Sequence, residues 1–198
     1  MLYASPMVTS RAWERQRTAL RAEIVATART LFVRDGFEAT TVDRIAEAVG
    51  ISRRSFFRYF GTKEDVVLSD LVARGDAIAA ALAGRPPGEG PWEALRAAML
   101  DARSEVFHDA VADLAFGRML QETPALRARL FEKRLHWHEA LVPLVAGRIE
   151  APGAPLAAAA IVSAALSCLD VASEAWIASE GTADLVQLYD SAVAAIRL

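Results

Sequence analysis

The chain is poor in cysteine: of 198 residues only Cys168 carries a thiol, so no internal disulfide can form. That usage fits a reducing cytoplasm, the compartment expected. Catalytic signatures are missing too. There is no Gly-rich phosphate loop, H-E-x-x-H, G-x-S-x-G or C-x-x-C, and Cys168 sits in an apolar stretch. Paired carboxylates fall on amphipathic faces, where solvation is their ordinary role, so neither an enzyme nor a cofactor is expected. His136 and His138 would lie about 200° apart on a helix and could not share an ion, and His108 stands apart. No metal is expected. No segment alternates with period two for long enough to make a strand. The opening MLYASPMVTS has neither a basic start nor an apolar run suited to a signal peptide, and residues 1–12 are expected to form a disordered leader. The one long uncharged run, Ala151–Leu169, contains Pro152, Gly153 and Pro155 and much alanine and serine, with Asp170 and Glu174 close behind. A span needs about 20 predominantly apolar residues. The run is expected to be a buried helix, and no membrane partner is expected.

Helical signals fill the space these absences leave. The composition is 54% hydrophobic and 24% charged, which is globular, and glycine and proline gather in clusters. Ile24, Ala28, Leu31 and Phe32 stripe a first helix from about Trp13 to Arg34, closed by Asp35-Gly36. Thr40 or Thr41 can cap a second over Val42–Val49, whose inner face is Val42, Ile45, Ala46 and Val49. Gly50 stops it. Ile51 then plugs inward, Ser52 caps a third helix over Arg53–Phe60, and Thr62 caps a long fourth from Lys63 to about Ala83. After the break GRPPGEG, five more stretches are predicted: Pro91–His108, Ala110–Gln121, Pro124–Gly147, Pro155–Glu180 and Ala183–Arg197. Thr123 and Thr182 are natural caps, and Pro143 should kink or split its helix. The fold class expected is all-α, with a three-helix head over 13–62 and a six-helix body over 63–198.

The net charge of −3 argues against nucleic acid only if the chain is taken whole. Between Arg11 and Glu64, eleven basic residues face seven acidic ones, whereas residues 65–198 hold eleven basic and eighteen acidic. The head is basic and the body acidic. Within the head, a helix, a glycine turn and a short helix over 41–60 make the helix-turn-helix pattern. Phe56 and Phe60, four apart, share one face and can pack with Ile51 on Ile45, Ala46 and Val49. Arg53, Arg54, Phe57 and Arg58 then point outward. Guanidinium groups can bond guanine bidentately and an aromatic can touch a thymine methyl, so this face suits a major groove. Thr41, Tyr59 and Lys63 flank it and could bond phosphates. The plain alternative is that the arginines only solubilise a helical hairpin. A structural DNA-bending protein would need basic charge over the whole body, which the acidic body excludes.

The stretch ARTLFVRDGFEATTVDRIAEAVGISRRSFFRYFGTKEDVV closely resembles the DNA-binding head of the TetR family of bacterial regulators. G-F-x-x-T-T, I-A-x-x-x-G, S-x-x-S-F-F-R-Y-F and T-K-E-D fall in order at that family's spacing. The resemblance covers about 50 residues and implies a three-helix head on a divergent helical body that binds an effector and dimerises. It implies phosphate contacts for Thr41, Tyr59 and Lys63 and groove-facing roles for Arg53, Arg54, Ser55 and Phe57, with Arg44 a further contact. Ser52 and Arg58 complete the candidate DNA-binding set. Phe57 departs from the tyrosine many members carry, which removes one hydroxyl. Further along, E-T-P-A-L-R-A-R-L through C-L-D-V-A-S-E-A-W looks like the branch containing the mycofactocin regulator, which implies an acyl-coenzyme A thioester as effector.

The expected partners are double-stranded operator DNA, a small-molecule effector and a second copy of the chain. A homodimer through 155–180 and 183–197 would set two heads on half-sites about 34–36 Å apart, or a multiple of that. One candidate stripe is Ile161, Ala165, Leu169 and Ala172, with small Ala158, Ala164 and Ser167 allowing close approach. The other is Leu185, Leu188, Ala192 and Ile196. For an apolar or amphipathic effector the candidate lining is Trp92, Phe107, Phe116, Phe131, Trp137 and Trp176. The function expected is a ligand-released transcriptional repressor, with an activator as the alternative.

Overall fold

A computed structural model describes the backbone of residues 6–106 and 110–196 and the side chains of 13–102 and 110–196. Among the described residues there are nine α-helices and no strand. They are α1 (Pro6–Asp35), α2 (Val42–Val49), α3 (Arg53–Phe56), α4 (Lys63–Ala83), α5 (Pro91–Val106), α6 (Ala110–Glu122), α7 (Pro124–Ala146), α8 (Ala154–Ala178) and α9 (Leu185–Ile196). Two compact units result, Met1–Ser69 and Asp70–Leu198, so the division falls inside α4 and not at its start. Helix α1 begins at Pro6, seven residues before the expected Trp13. Residues 1–5 of the expected leader lie outside the described residues.

The first unit closes over Ile24, Ala28, Leu31, Phe32, Phe37, Ile45, Ala46, Phe56, Phe60, Val66 and Val67, all buried. Gly36, at φ +87°, ends α1 in the left-handed region that favours glycine. Of the two threonines, Thr41 caps α2: its Oγ1 accepts the Arg44 amide at 3.2 Å. Thr40 is instead buried, and its hydroxyl donates to the Gly36 carbonyl at 2.8 Å. Gly50, at φ +76°, turns the chain so that the Ile51 amide reaches the Ala46 carbonyl at 2.9 Å. Ser52 caps α3, its Oγ accepting the Ser55 amide at 3.1 Å. Helix α3 is four residues long where eight were expected. The remainder winds as tight turns, with the Arg58 amide on the Ser55 carbonyl and the Tyr59 amide on the Phe56 carbonyl. A run of aromatics has poor helix propensity, and these turns let Phe60 reach the core directly before Gly61. Thr62 and Asp65 cap α4 reciprocally, each side chain accepting from the other's amide, at 3.1 and 2.9 Å.

The second unit packs α5, α7, α8 and α9 around Leu82, Leu95, Leu141, Val145, Val162 and Leu166. Arg148 holds the end of α4 by donating to the carbonyls of Leu82, Arg85 and Pro86 at 2.9, 3.0 and 2.8 Å. Pro143 does not split α7. It lies in the last turn, and the helix runs on through it to Ala146. Thr182 is not the cap of α9; Asp184 is, its Oδ1 accepting the amides of Val186 and Gln187 at 2.7 and 3.3 Å. By length and composition α8 could cross a membrane, with a mean hydropathy of 1.9 over its most apolar window, but Ala158, Val162, Ala165, Leu166, Cys168 and Ala172 are buried in this core.

That burial corrects the expected dimer stripe. Ala158, Ala165 and Ala172 are consumed within the unit, and Ile161 and Leu169 pack on the same cluster. The face of α8 left outward carries Leu156, Ala160, Ser167 and Val171. On α9, Leu185 is buried and Leu188 and Ala192 pack inward, which leaves Ile196 exposed.

Candidate nucleic-acid interface and ligand cavity

The platform of the first unit is aromatic. Phe56 and Phe60 are buried, with ring centroids 5.9 Å apart, and Phe57 meets Phe56 edge-on at 5.6 Å. With these rings seated inward, Arg53, Arg54, Phe57 and Arg58 are exposed, as their register requires. Arg53 lies over the Phe57 ring at 5.5 Å and pairs with Asp43 at 2.8 Å, both partners remaining well exposed. The guanidinium groups of Arg54 and Arg58 take no ion pair or hydrogen bond among the described residues. Arg44 pairs with Asp35 at 3.0 Å, and Arg34 holds that carboxylate bidentately, which keeps it below the usual carboxylate range. Ser52 and Ser55, with hydroxyls 3.0 Å apart, stand at the start of α3.

Lys63, expected as a phosphate contact, is already engaged within the unit. Its ammonium donates to the Phe37 carbonyl at 2.8 Å and the Thr40 carbonyl at 3.4 Å, and it lies 4.1 Å from the Phe37 ring centroid. It therefore fastens the turn between α1 and α2, and only part of its donor capacity remains for a phosphate. Arg21, which the sequence reading passed over, has a comparable role. It stacks 4.4 Å over the Phe60 ring and donates to the Tyr59 carbonyl at 3.2 Å and the Ser69 hydroxyl at 3.0 Å. No local pattern marks it, because its partners lie 38 and 48 residues away.

In the second unit a cavity of about 460 Å³ opens between α4, α5, α6, α7, α8 and α9, within the range of small-molecule sites. Of the expected lining, Phe116 and Trp137 form buried walls, Trp176 is half-buried against it, and Phe131 stands exposed at its edge. Trp92 does not reach it and packs instead on the core cluster. Phe107 lies outside the described residues. The sequence reading missed the aliphatic walls, Ile78, Met99, Leu120 and Ile177, which no aromatic search could find.

Polar groups interrupt the apolar lining at a few points. The Arg74 guanidinium is nearly buried, pairs with Asp70 at 3.1 Å and lies 5.4 Å from the Phe116 ring centroid. Asp113, also lining the cavity, is 5% exposed, and its setting in the apolar run AVADLAF was the available signal. Lys133 and Arg134 share the Asp170 carboxylate at 3.5 and 2.6 Å, and Arg134 also donates to the Ser167 hydroxyl. Trp137 is held by its indole N–H, which donates to the Leu71 carbonyl at 2.9 Å. That approach needs Gly75, since a Cβ there would overlap the indole ring. Burial pushes the Cys168 thiol up, away from the range of a reactive thiolate.

The geometry agrees with what the chain resembles. A model of bacterial regulatory proteins of the tetR family matches residues 24–69, and one of the MftR C-terminal domain matches residues 89–197. The transcriptional regulator TcmR of Streptomyces glaucescens is 33% identical over 141 residues, an alignment covering 68% of this chain and 62% of TcmR. The transcriptional repressor AcnR of Corynebacterium glutamicum is 33% identical over 124 residues, covering 63% of each. The chain thus spans less than two thirds of the length of these relatives. Among solved structures, Thermus thermophilus FadR, a TetR-family repressor in complex with lauroyl-CoA, superposes with a TM-score of 0.56 at 24% identity, covering 87% of this chain and 91% of FadR. The chain belongs to the TetR family of bacterial regulatory proteins, with a C-terminal domain of the MftR type.

Proposed function

We propose that the chain is a transcriptional repressor that binds operator DNA as a homodimer and is released by a small apolar or amphipathic effector. The observation that carries this reading is the outward face of Arg53, Arg54, Phe57 and Arg58 on the buried Phe56–Phe60 platform. A row of guanidinium groups carried on a fixed backbone is suited to guanine edges. Thr41, Arg44, Ser52, Ser55, Tyr59 and Lys63 serve as its flanking contacts. Repression follows AcnR, which is named a repressor. The dimer forms through the outward faces of α8 and α9, where Leu156, Val171 and Ile196 leave large apolar side chains in water. Such a protein works in the cytoplasm, where the DNA is, and has no catalytic step.

For the effector, an acyl-coenzyme A thioester is favoured. Apolar walls suit an acyl chain, while Arg74, Lys133 and Arg134 supply cations for an anionic portion. FadR holds such a molecule in its own structure. The test is native mass spectrometry of the purified protein, followed by titration of labelled operator with lauroyl-CoA. A dimer carrying a thioester-sized adduct, and operator release on addition, are expected. A protein that binds operator but keeps it at saturating thioester would overturn the effector assignment.

A further inference from the structure

The helix face that buries Ile24, Ala28 and Leu31 continues past the edge of the core. One turn earlier it carries Arg21, then Arg17, then Trp13, each four residues from the next and so on one side of α1. Arg21 is anchored on Tyr59 and Phe60, in the turn that follows α3. Arg17 lies one turn beyond, about 6 Å along the axis, with its guanidinium 5.7 Å from the Trp13 ring centroid. Every side chain from Trp13 to Ala19 is exposed, and Trp13 is 62% so. A long stretch of helix with a tryptophan in water and no apolar face packed on its own unit calls for a partner. Charge indicates which one: from Arg11 to Arg21 four arginines stand against Glu14 alone, a positive stretch second to the eleven residues from Arg53 to Lys63, which hold four cations and no acid.

We propose that the N-terminal part of α1 is a second DNA-contact surface, on which Arg17, steadied by Trp13, takes a backbone phosphate beyond the segment met by α3. The inference rests on the reading that the first unit binds DNA. The indole restricts the guanidinium before contact, so less side-chain freedom is lost on binding. The contact is electrostatic and reads no base, so it contributes affinity and salt dependence without sequence preference.

The test uses the full chain and labelled duplexes that it selects from a random pool, titrated by fluorescence anisotropy across a fourfold range of sodium chloride. Arg17→Ala should flatten the log–log salt slope by about 0.9 for each phosphate contact removed, or about threefold in affinity over that range. Arg17→Lys should keep the slope, since an ammonium still neutralises a phosphate, and the selected sequence should not change in either variant. Trp13→Ala should weaken binding with little change of slope. An unaltered slope in Arg17→Ala, while Arg54→Ala still weakens binding, overturns this surface and leaves the helix-turn-helix intact. Failure to select any duplex, or indifference to Arg54→Ala as well, overturns the DNA-binding reading and this surface with it.

Discussion

Helices begin differently in the two units. In the first, Thr41, Ser52 and the Thr62–Asp65 pair bond directly to free amides at the starts of α2, α3 and α4. In the second, the short α9 is capped by Asp184, but α7 and α8 open with proline in the first turn, and neither Thr123 nor Gly153 supplies a side-chain cap. Length accounts for the contrast at α2 and α3, though not at α4, which is 21 residues long and capped as well. Helices of four and eight residues cannot repay nucleation through burial, so side chains must satisfy their ends. Helices of 23 and 25 residues are held by their packed faces and tolerate open starts. Function follows the same division: the first unit presents fixed side chains on a surface, while the second encloses a volume.

Three experiments would break or sharpen that contrast. The largest effect is expected from Phe56→Ala, which empties the fully buried centre of the first unit and should cost about 3–5 kcal/mol in urea unfolding. A loss below about 1 kcal/mol would show that the aromatic platform does not hold α3. Next, Thr41→Ala should cost about 1 kcal/mol, whereas Thr123→Ala should be close to neutral, both read from the urea midpoint. Equal losses would erase the distinction between capped and uncapped starts. The smallest effect concerns acid. Arg96 bonds Asp190 at 2.7 and 2.6 Å and holds its carboxyl below the usual range, against the opposing pull of burial. With a lowered folded value, the stabilisation is present above about pH 4 and is lost as pH falls through that lowered value. Asp190→Asn should therefore lower the unfolding free energy at pH 7 by less than about 1 kcal/mol for so exposed a pair, with the gap to wild type closing in acid. A gap that widened in acid would invert the assignment.

The same contrast decides what could be read from sequence. Helix positions came from stripes and breakers, and the platform of Phe56 and Phe60 came from a spacing of four, because both signals are local. The α3 boundary failed because helical periodicity cannot distinguish a helix from tight turns that keep the same faces inward. The dimer stripe failed for another reason. Helix α8 is apolar on most sides, so its sequence names no preferred face, and only the packing of α7 and α9 shows that Ala165 and Ala172 are used inside. In the cavity, aromatics were a partial guide. Trp92 has the same chemistry as Trp137 but packs in the core, and Ile78 and Met99 line the space without any mark of their own.

Lys63 closes one further link. Because its ammonium already clasps the carbonyls of Phe37 and Thr40, the turn leading into α2 is set before any nucleic acid arrives. On the reading that this unit binds DNA, an approaching duplex meets a backbone already in place, so the freedom left to surrender is that of exposed side chains such as Arg54 and Arg58. Discrimination between sequences should then be expressed mainly in how long a complex lasts, not in how quickly it forms.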